Sequence, residues 1–295
     1  VKSSNGKKLP TDSVVRLYEI FHSKNWHSND EFPSSGGKLF ERFCRLLERL
    51  EVDEQDLILT LTEDFLKYWE LHYPILMEKA LARVPIAYLQ KFRKIYLLPI
   101  VASKDLEIGS GKSGHHLLYS TEHIVFARND RYATIRNKVA QIANIEALGE
   151  SLSGRADCLI MFLDDFIGTG KTTIDCLFDY WTKYRVSTDE VVVVALVAQR
   201  QGLVCLDRHY FKAYAGMVRK RGISDSQRLP DIEKALSIMD RIEKRAFSSR
   251  KYYRGFGQCE ALVSMIRTPN DTFPVYWMTR GRHGQPWPAP FGRYM

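Results

Sequence analysis

Cysteine is scarce in this chain. The five residues, Cys44, Cys158, Cys176, Cys205 and Cys259, are scattered, odd in number and never form a CxxC pair. That spacing argues against a disulfide framework or a zinc knuckle and predicts reduced, mostly buried thiols. Histidine shows no ligand spacing either: His115, His116 and His123 are close in sequence but have no partnering cysteines or carboxylates. Long apolar runs are missing, since VVVVALVA at 191–198 falls far short of the roughly 20 residues a membrane span requires. The sequence opens with no basic stretch leading into an apolar run and a small-residue cleavage site, so the expectation is a cytoplasmic protein without membrane contact. Internal repeats and low-complexity tracts are absent as well.

What is present suits a globular protein. With 295 residues, 45% of them hydrophobic, the chain can bury a sizeable core in one large domain or two small ones. The net charge of +8 is uneven: residues 200–295 carry 18 Lys and Arg against 8 Asp and Glu, leaving 25 against 27 in residues 1–199. A basic last third fits a phosphate-rich partner, either a small anion or a nucleic acid, because clustered positive charge concentrates anions. Its candidate contacts are Arg219, Lys220 and Arg221, and the cluster Arg245, Arg250, Lys251 and Arg254.

Periodicity divides the chain into three stretches. Residues 1–90 read as helical: Thr11 or Asp12 is placed to cap a helix carrying Val15, Leu17, Tyr18 and Phe21. The segment KLFERFCRLLERL continues that spacing with Leu39, Phe43, Leu46, Leu47 and Leu50, and DLILTLTEDFLKYWELHY predicts a further helix before Pro74. Residues 91–235 change period. KIYLLPI (94–100), CLIMFL (158–163) and EVVVVALVA (190–198) are short continuous apolar runs that suit strands of a parallel sheet buried on both faces. HHLLYSTEHIVF and TTIDCLFDYWTKY between them read as helices. The alternation predicts an α/β fold, with ligands expected beyond the carboxyl ends of the strands. In the basic region 236–295, read as packing on the core, GFGQCEALVSMIR is expected to form a helix opened by glycines. PDIEKALSIMDRIEKRAF, which straddles the boundary before it, reads as a helix too.

The chemistry concentrates in LIMFLDDFIGTGKTT, residues 159–173. Both IGTGKTT and GSGKSG (109–114) resemble the end of a P-loop, but a Walker A loop needs glycine five residues before its final glycine, where Asp165 and Leu106 stand. A carboxylate there would face the phosphates, and neither KIYLLPI nor VVVVALVAQR ends in the acidic residue that magnesium would require. A second reading makes the aspartates assets. Asp164 and Asp165 at a strand end accept from the vicinal hydroxyls of a ribose, and Thr169, Gly170, Lys171, Thr172 and Thr173 form an anion site at the start of the next helix. A third reading leaves the loop as a capped helix start without a ligand, although adjacent aspartates repel unless something compensates them.

Residues 159–172 match the type I phosphoribosyltransferase signature position by position: apolar residues through Leu163, the acidic pair Asp164-Asp165, Phe166-Ile167, Gly168, then Thr169-Gly170-Lys171-Thr172. The resemblance implies an α/β core with a mainly parallel sheet, here carrying a helical N-terminal extension. It also implies a site for magnesium-chelated phosphoribosyl pyrophosphate. Asp164 and Asp165 would serve as the catalytic pair and as the candidate Mg2+ contacts, and residues 169–173 would hold the 5-phosphate. Pyrophosphate would fall to Ser110, Gly111, Lys112, Ser113 and Gly114. Lys171 stands where the family more often has a small residue, and some ten residues separate the strand at 94–100 from the glycines at 111 and 114.

SGKSGHHLLY, FLDDFIGTGKT, YRGFGQCEALVSMIRTPNDTFPVYW and the Trp- and Arg-containing tail together resemble the phosphoribosyltransferase-like proteins of bacterial conflict and antiphage gene clusters over most of residues 85–295. Asn270, Asp271 and Trp277 are the candidates for an acceptor pocket; the alternative makes 269–271 a turn and Trp277 a core residue. The implied activity is transfer or release of the phosphoribosyl group. The rival is a sensor that binds the sugar phosphate without turnover and holds nucleic acid or a protein.

Overall fold

A computed structural model describes residues 9–26, 38–100, 112–142, 157–184 and 187–293, with side chains omitted for 112–115. The chain forms two compact units. One comprises Val1–Lys67 and Arg221–Met295, the other Tyr68–Lys220. This division differs from the three consecutive stretches read from periodicity, because the N-terminal helices share a core with the C-terminal segment.

In chain order, the first unit supplies α1 (Thr11–Ser23), α2 (Leu39–Leu47), α3 (Val52–Asp64) and β1 (Leu66–Lys67). The second follows with α4 (Tyr73–Leu81), α5 (Ile86–Gln90), β2 (Lys94–Pro99), α6 (Lys112–Ser120), β3 (Val139–Gln141), β4 (Cys158–Ile167), α7 (Lys171–Tyr184), β5 (Val191–Gln199), α8 (Arg200–Arg208) and β6 (Lys212–Arg219). The chain then returns to the first unit with α9 (Ile232–Ala246) and β7 (Val263–Ser264), which pairs in parallel with β1.

The core of the first unit is aromatic. Phe21, Trp26, Phe43, Phe65, Tyr276 and Phe291 meet mostly edge to face, as ring quadrupoles favour, with Phe65 stacked on Phe291 at 4.6 Å. Several local expectations fail here. Pro10 occupies the N-cap of α1 and no side chain caps it, so Thr11 and Asp12 lie inside the helix. Its buried stripe is Leu17, Ile20 and Phe21, while Val15 and Tyr18 are 50% and 56% exposed. The helix expected to run up to Pro74 ends at Asp64, and Pro74 sits in the first turn of α4, where its missing N–H costs nothing. GFGQCEALVSMIR forms no helix. It contains a 3-10 turn and β7, and Arg254, Gln258 and Glu260 take positive φ, which breaks any helical course.

The second unit is the α/β core. Its sheet runs β3-β2-β4-β5-β6 with every pairing parallel. β5 is buried along all nine residues, and β4 along its first six, as expected for strands covered on both faces. Ile160, Phe162, Val193 and Ala195 join Ile174, Leu177 and Tyr180 of α7 and Leu206 of α8 in one cluster. The helices α4 and α6 pack on the sheet as well, α4 on β5 and β6, α6 on β2 and β4. A Cβ on Gly216 of β6 would lie 2.2 Å from the carbonyl oxygen of Leu76, so glycine lets the α4 backbone rest directly on the sheet. β6 escapes a reading by apolar runs because KAYAGMVR is only intermittently buried, and β3 because it is three residues long.

Candidate functional site

β4 does not stop at the aspartates. It continues to Ile167, with Asp164 opposite Ala195, Phe166 opposite Val197 and Ile167 opposite Ala198 on β5. On its other side, among the described residues, the pairing with β2 reaches to Leu163. The pair therefore stands past the end of β2, at Pro99, and both side chains are half-buried. Desolvation by the surrounding protein pushes both carboxyls above the usual range, Asp164 the more strongly because the charge of Asp165 adds to it. The Tyr73 hydroxyl donates to Asp165 Oδ2 at 3.3 Å, which favours the ionised form of Asp165 against that trend.

Three residues, 168–170, turn the chain from β4 into α7. Gly170 takes φ +81°, a left-handed conformation, and a Cβ there would lie 2.9 Å from the carbonyl oxygen of Gly202 in α8. The Thr169 hydroxyl accepts from the Lys171 N–H at 3.4 Å, and Ile174 N–H reaches the Gly170 carbonyl at 2.9 Å to start the helix. The first helical N–H groups have no intrahelical acceptor and, with the helix dipole, favour an anion. Lys171 and Thr172 are exposed, and the Lys171 ammonium lies 3.6 Å from Asp175. Thr173, at 2% exposure, turns its side chain into the core. This short turn leaves no room for a wrapping P-loop, since residues 166 and 167, which such a loop would use, are hydrogen-bonded strand.

Of the expected pyrophosphate loop, Ser110 and Gly111 lie outside the described residues. Lys112, Ser113 and Gly114 form the first turn of α6. Asn270, Asp271 and Trp277 belong to the other unit. The carbonyls of Asn270 and Asp271 accept from Phe256 and Ala261 N–H, so these residues strap a turn through their backbone. Trp277 is 6% exposed, and its indole N–H donates to the Thr272 carbonyl at 2.8 Å. Of the candidate basic contacts, Arg221 pairs with Asp225, Arg245 with Glu54 and Arg254 with Asp240. Arg250 and Lys251 are exposed, Lys251 lying over the Tyr252 ring.

Among the described residues, no group of three or more His, Cys, Asp or Glu could hold a metal ion. The adjacent carboxylates 164 and 165 offer only oxygen donors, and few of them, which suits a hard cation that brings the rest of its shell with it. No described helix is long and apolar enough to cross a membrane. Tyr73, whose hydroxyl reaches the pair, escapes sequence reading: nothing local in ELHYP points to a carboxylate 92 residues later.

No curated protein matches the chain. Residues 24–293 match the PRTase-CE family, and the parallel sheet is consistent with a phosphoribosyltransferase-type fold, so the chain belongs to this phosphoribosyltransferase-like family.

Proposed function

We propose that the Tyr68–Lys220 unit binds magnesium-chelated phosphoribosyl pyrophosphate and transfers its phosphoribosyl group to an acceptor. The observation that carries this reading is the succession at the end of β4: two carboxylates, a three-residue turn with a left-handed glycine, and a helix start. Asp164 and Asp165 accept hydrogen bonds from the two ribose hydroxyls. The N–H groups at the start of α7, with the Thr169 and Thr172 hydroxyls, hold the 5-phosphate, and Lys171 adds exposed positive charge. Ser110 to Gly114 receive the pyrophosphate. Asp164 and Asp165 would also hold magnesium, which would supply charge neutralisation at the pyrophosphate. The bond to the anomeric carbon breaks with oxocarbenium character, so the protein contributes position and fixed charge, and no side chain acts as a nucleophile.

Calorimetric titration with phosphoribosyl pyrophosphate, with and without magnesium, tests binding. Asp164→Asn and Asp165→Asn each remove ribose contacts and charge without core volume, and each is expected to weaken binding at least about tenfold. Turnover is tested separately by pyrophosphate release against a panel of bases, nucleosides and cell extract. Binding without release would make the protein a sensor; no binding would remove the ribose phosphate reading. The resemblance to proteins of conflict gene clusters extends the proposal to defence against phage, tested by plaque counts on a host expressing the chain or its Asp165→Asn variant.

A further inference from the structure

Tyr73 is fully buried at the start of α4, and its hydroxyl reaches Asp165 from outside β4 as a side-chain donor. Its position is fixed from two directions. The α4 backbone rests on β6 at Gly216. From α6, the His116 ring lies edge-on to the Tyr73 ring, with centroids 6.5 Å apart and an interplanar angle of 68°. His116 Nε2 is paired in turn with Glu70, three residues before Tyr73, so the α6 side chain is tied to the turn that leads into α4.

Within β4 the Asp165 carboxyl shares hydrogen bonds only with adjacent groups, the Asp164 side chain and the backbone at 165 and 166, and an acceptor that samples several orientations binds a directional donor poorly. A phenol anchored in the core adds a fixed donor from a different element. It occupies one carboxylate oxygen and leaves the remaining lone pairs of the group for another donor. We propose that Tyr73 is a positioning residue that fixes Asp165, through Oδ2, in the orientation in which its carboxylate accepts from a sugar hydroxyl. This role rests on the ribose 5-phosphate reading of the site. The Glu70–His116 pair is the clamp that keeps the phenol in place.

The test is the split between sugar and phosphate recognition. The full chain and its Tyr73→Phe variant are titrated with ribose 5-phosphate and, separately, with inorganic phosphate, and circular dichroism and thermal melts verify that the variant is folded. Phenylalanine keeps the ring in the core and removes only the hydroxyl. The expected result is a loss of about 5- to 20-fold for ribose 5-phosphate, no more than one hydrogen bond to a charged group because Tyr73 acts through Asp165, with inorganic phosphate unchanged within about twofold. Parallel losses for both ligands would make Tyr73 a general support of the fold and overturn the proposal; so would unchanged binding of both. If the unaltered chain binds ribose 5-phosphate no better than inorganic phosphate, the ribose reading itself fails, and the positioning role falls with it.

Discussion

Gly170 and Gly202 meet backbone to backbone. A Cβ on Gly170 would stand 2.9 Å from the Gly202 carbonyl oxygen, and one on Gly202 would stand 2.4 Å from the Gly168 carbonyl oxygen. The turn after β4 is thereby seated on the first turn of α8. Gly170→Val forces a branched side chain into both a left-handed backbone and this contact, and Gly202→Ala meets the same backbone from the other side. Each is expected to lower stability by about 1–3 kcal/mol. Urea denaturation of the full chain checks this, and a variant that keeps its midpoint would show that the two segments are not packed as described. Gly170→Val consequently reports on the fold before it reports on a ligand.

Thr169→Ala is the cleaner probe of the loop. The hydroxyl is half-exposed and accepts one long hydrogen bond from the Lys171 N–H. Its removal is expected to cost less than about 1 kcal/mol of stability while weakening ribose 5-phosphate binding about three- to tenfold. Calorimetry beside a thermal melt separates the two effects. A variant that binds as tightly as the unaltered chain would remove Thr169 from the phosphate site.

Glu243 supplies a pH dependence in the other unit. It is fully buried on α9, where burial, with the nearby charge of Asp240, pushes its carboxyl up from the ordinary 4.5 to about 8 against the stabilising Arg254 N–H. Asp240, Arg254 and Glu260 are the charged groups that act on it. Between these two values the folded chain holds a proton that the unfolded chain has lost. Stability therefore declines as pH rises through the window, by at most about 1.4 kcal/mol per pH unit. Glu243→Gln is expected to flatten that decline, gaining most near pH 8 and least near pH 5. Urea midpoints across the range read it directly, and parallel curves for the two proteins would show that Glu243 is ionised in the fold.

Within the unit that holds residues 221–293, binding of a polyanion would fall to the exposed Arg250 and Lys251, since Arg221, Arg245 and Arg254 each have a carboxylate partner. Replacing both by alanine is expected to weaken low-salt DNA or RNA binding and to reduce the slope of log affinity against log salt by about one to two. An unaltered chain that binds neither polymer at low salt would leave these charges as ordinary surface.

The α/β core was legible because its physics is local. Valine-rich β5 is buried on both faces, so it must be apolar at every position, and a continuous run reveals it without any knowledge of its neighbours. The aspartate pair, the glycine turn and the helix start are likewise contiguous, so one stretch of sequence specifies the strand end and the candidate anion site together. What sequence could not supply was long-range. Asp164 and Asp165 lie within a strand because β5 pairs with it as far as Ile167, and where a partner strand continues is not written in β4 itself. Tyr73 reaches Asp165 across 92 residues because α4 lies on β6 at a glycine. For Trp277 the sequence left a pocket wall and a core position both open, and the fold buries it with its N–H on a backbone carbonyl. Helix and strand periods record which side of an element is apolar. They do not record which distant element covers it, and that choice, made by packing, determined where Asp165 is held.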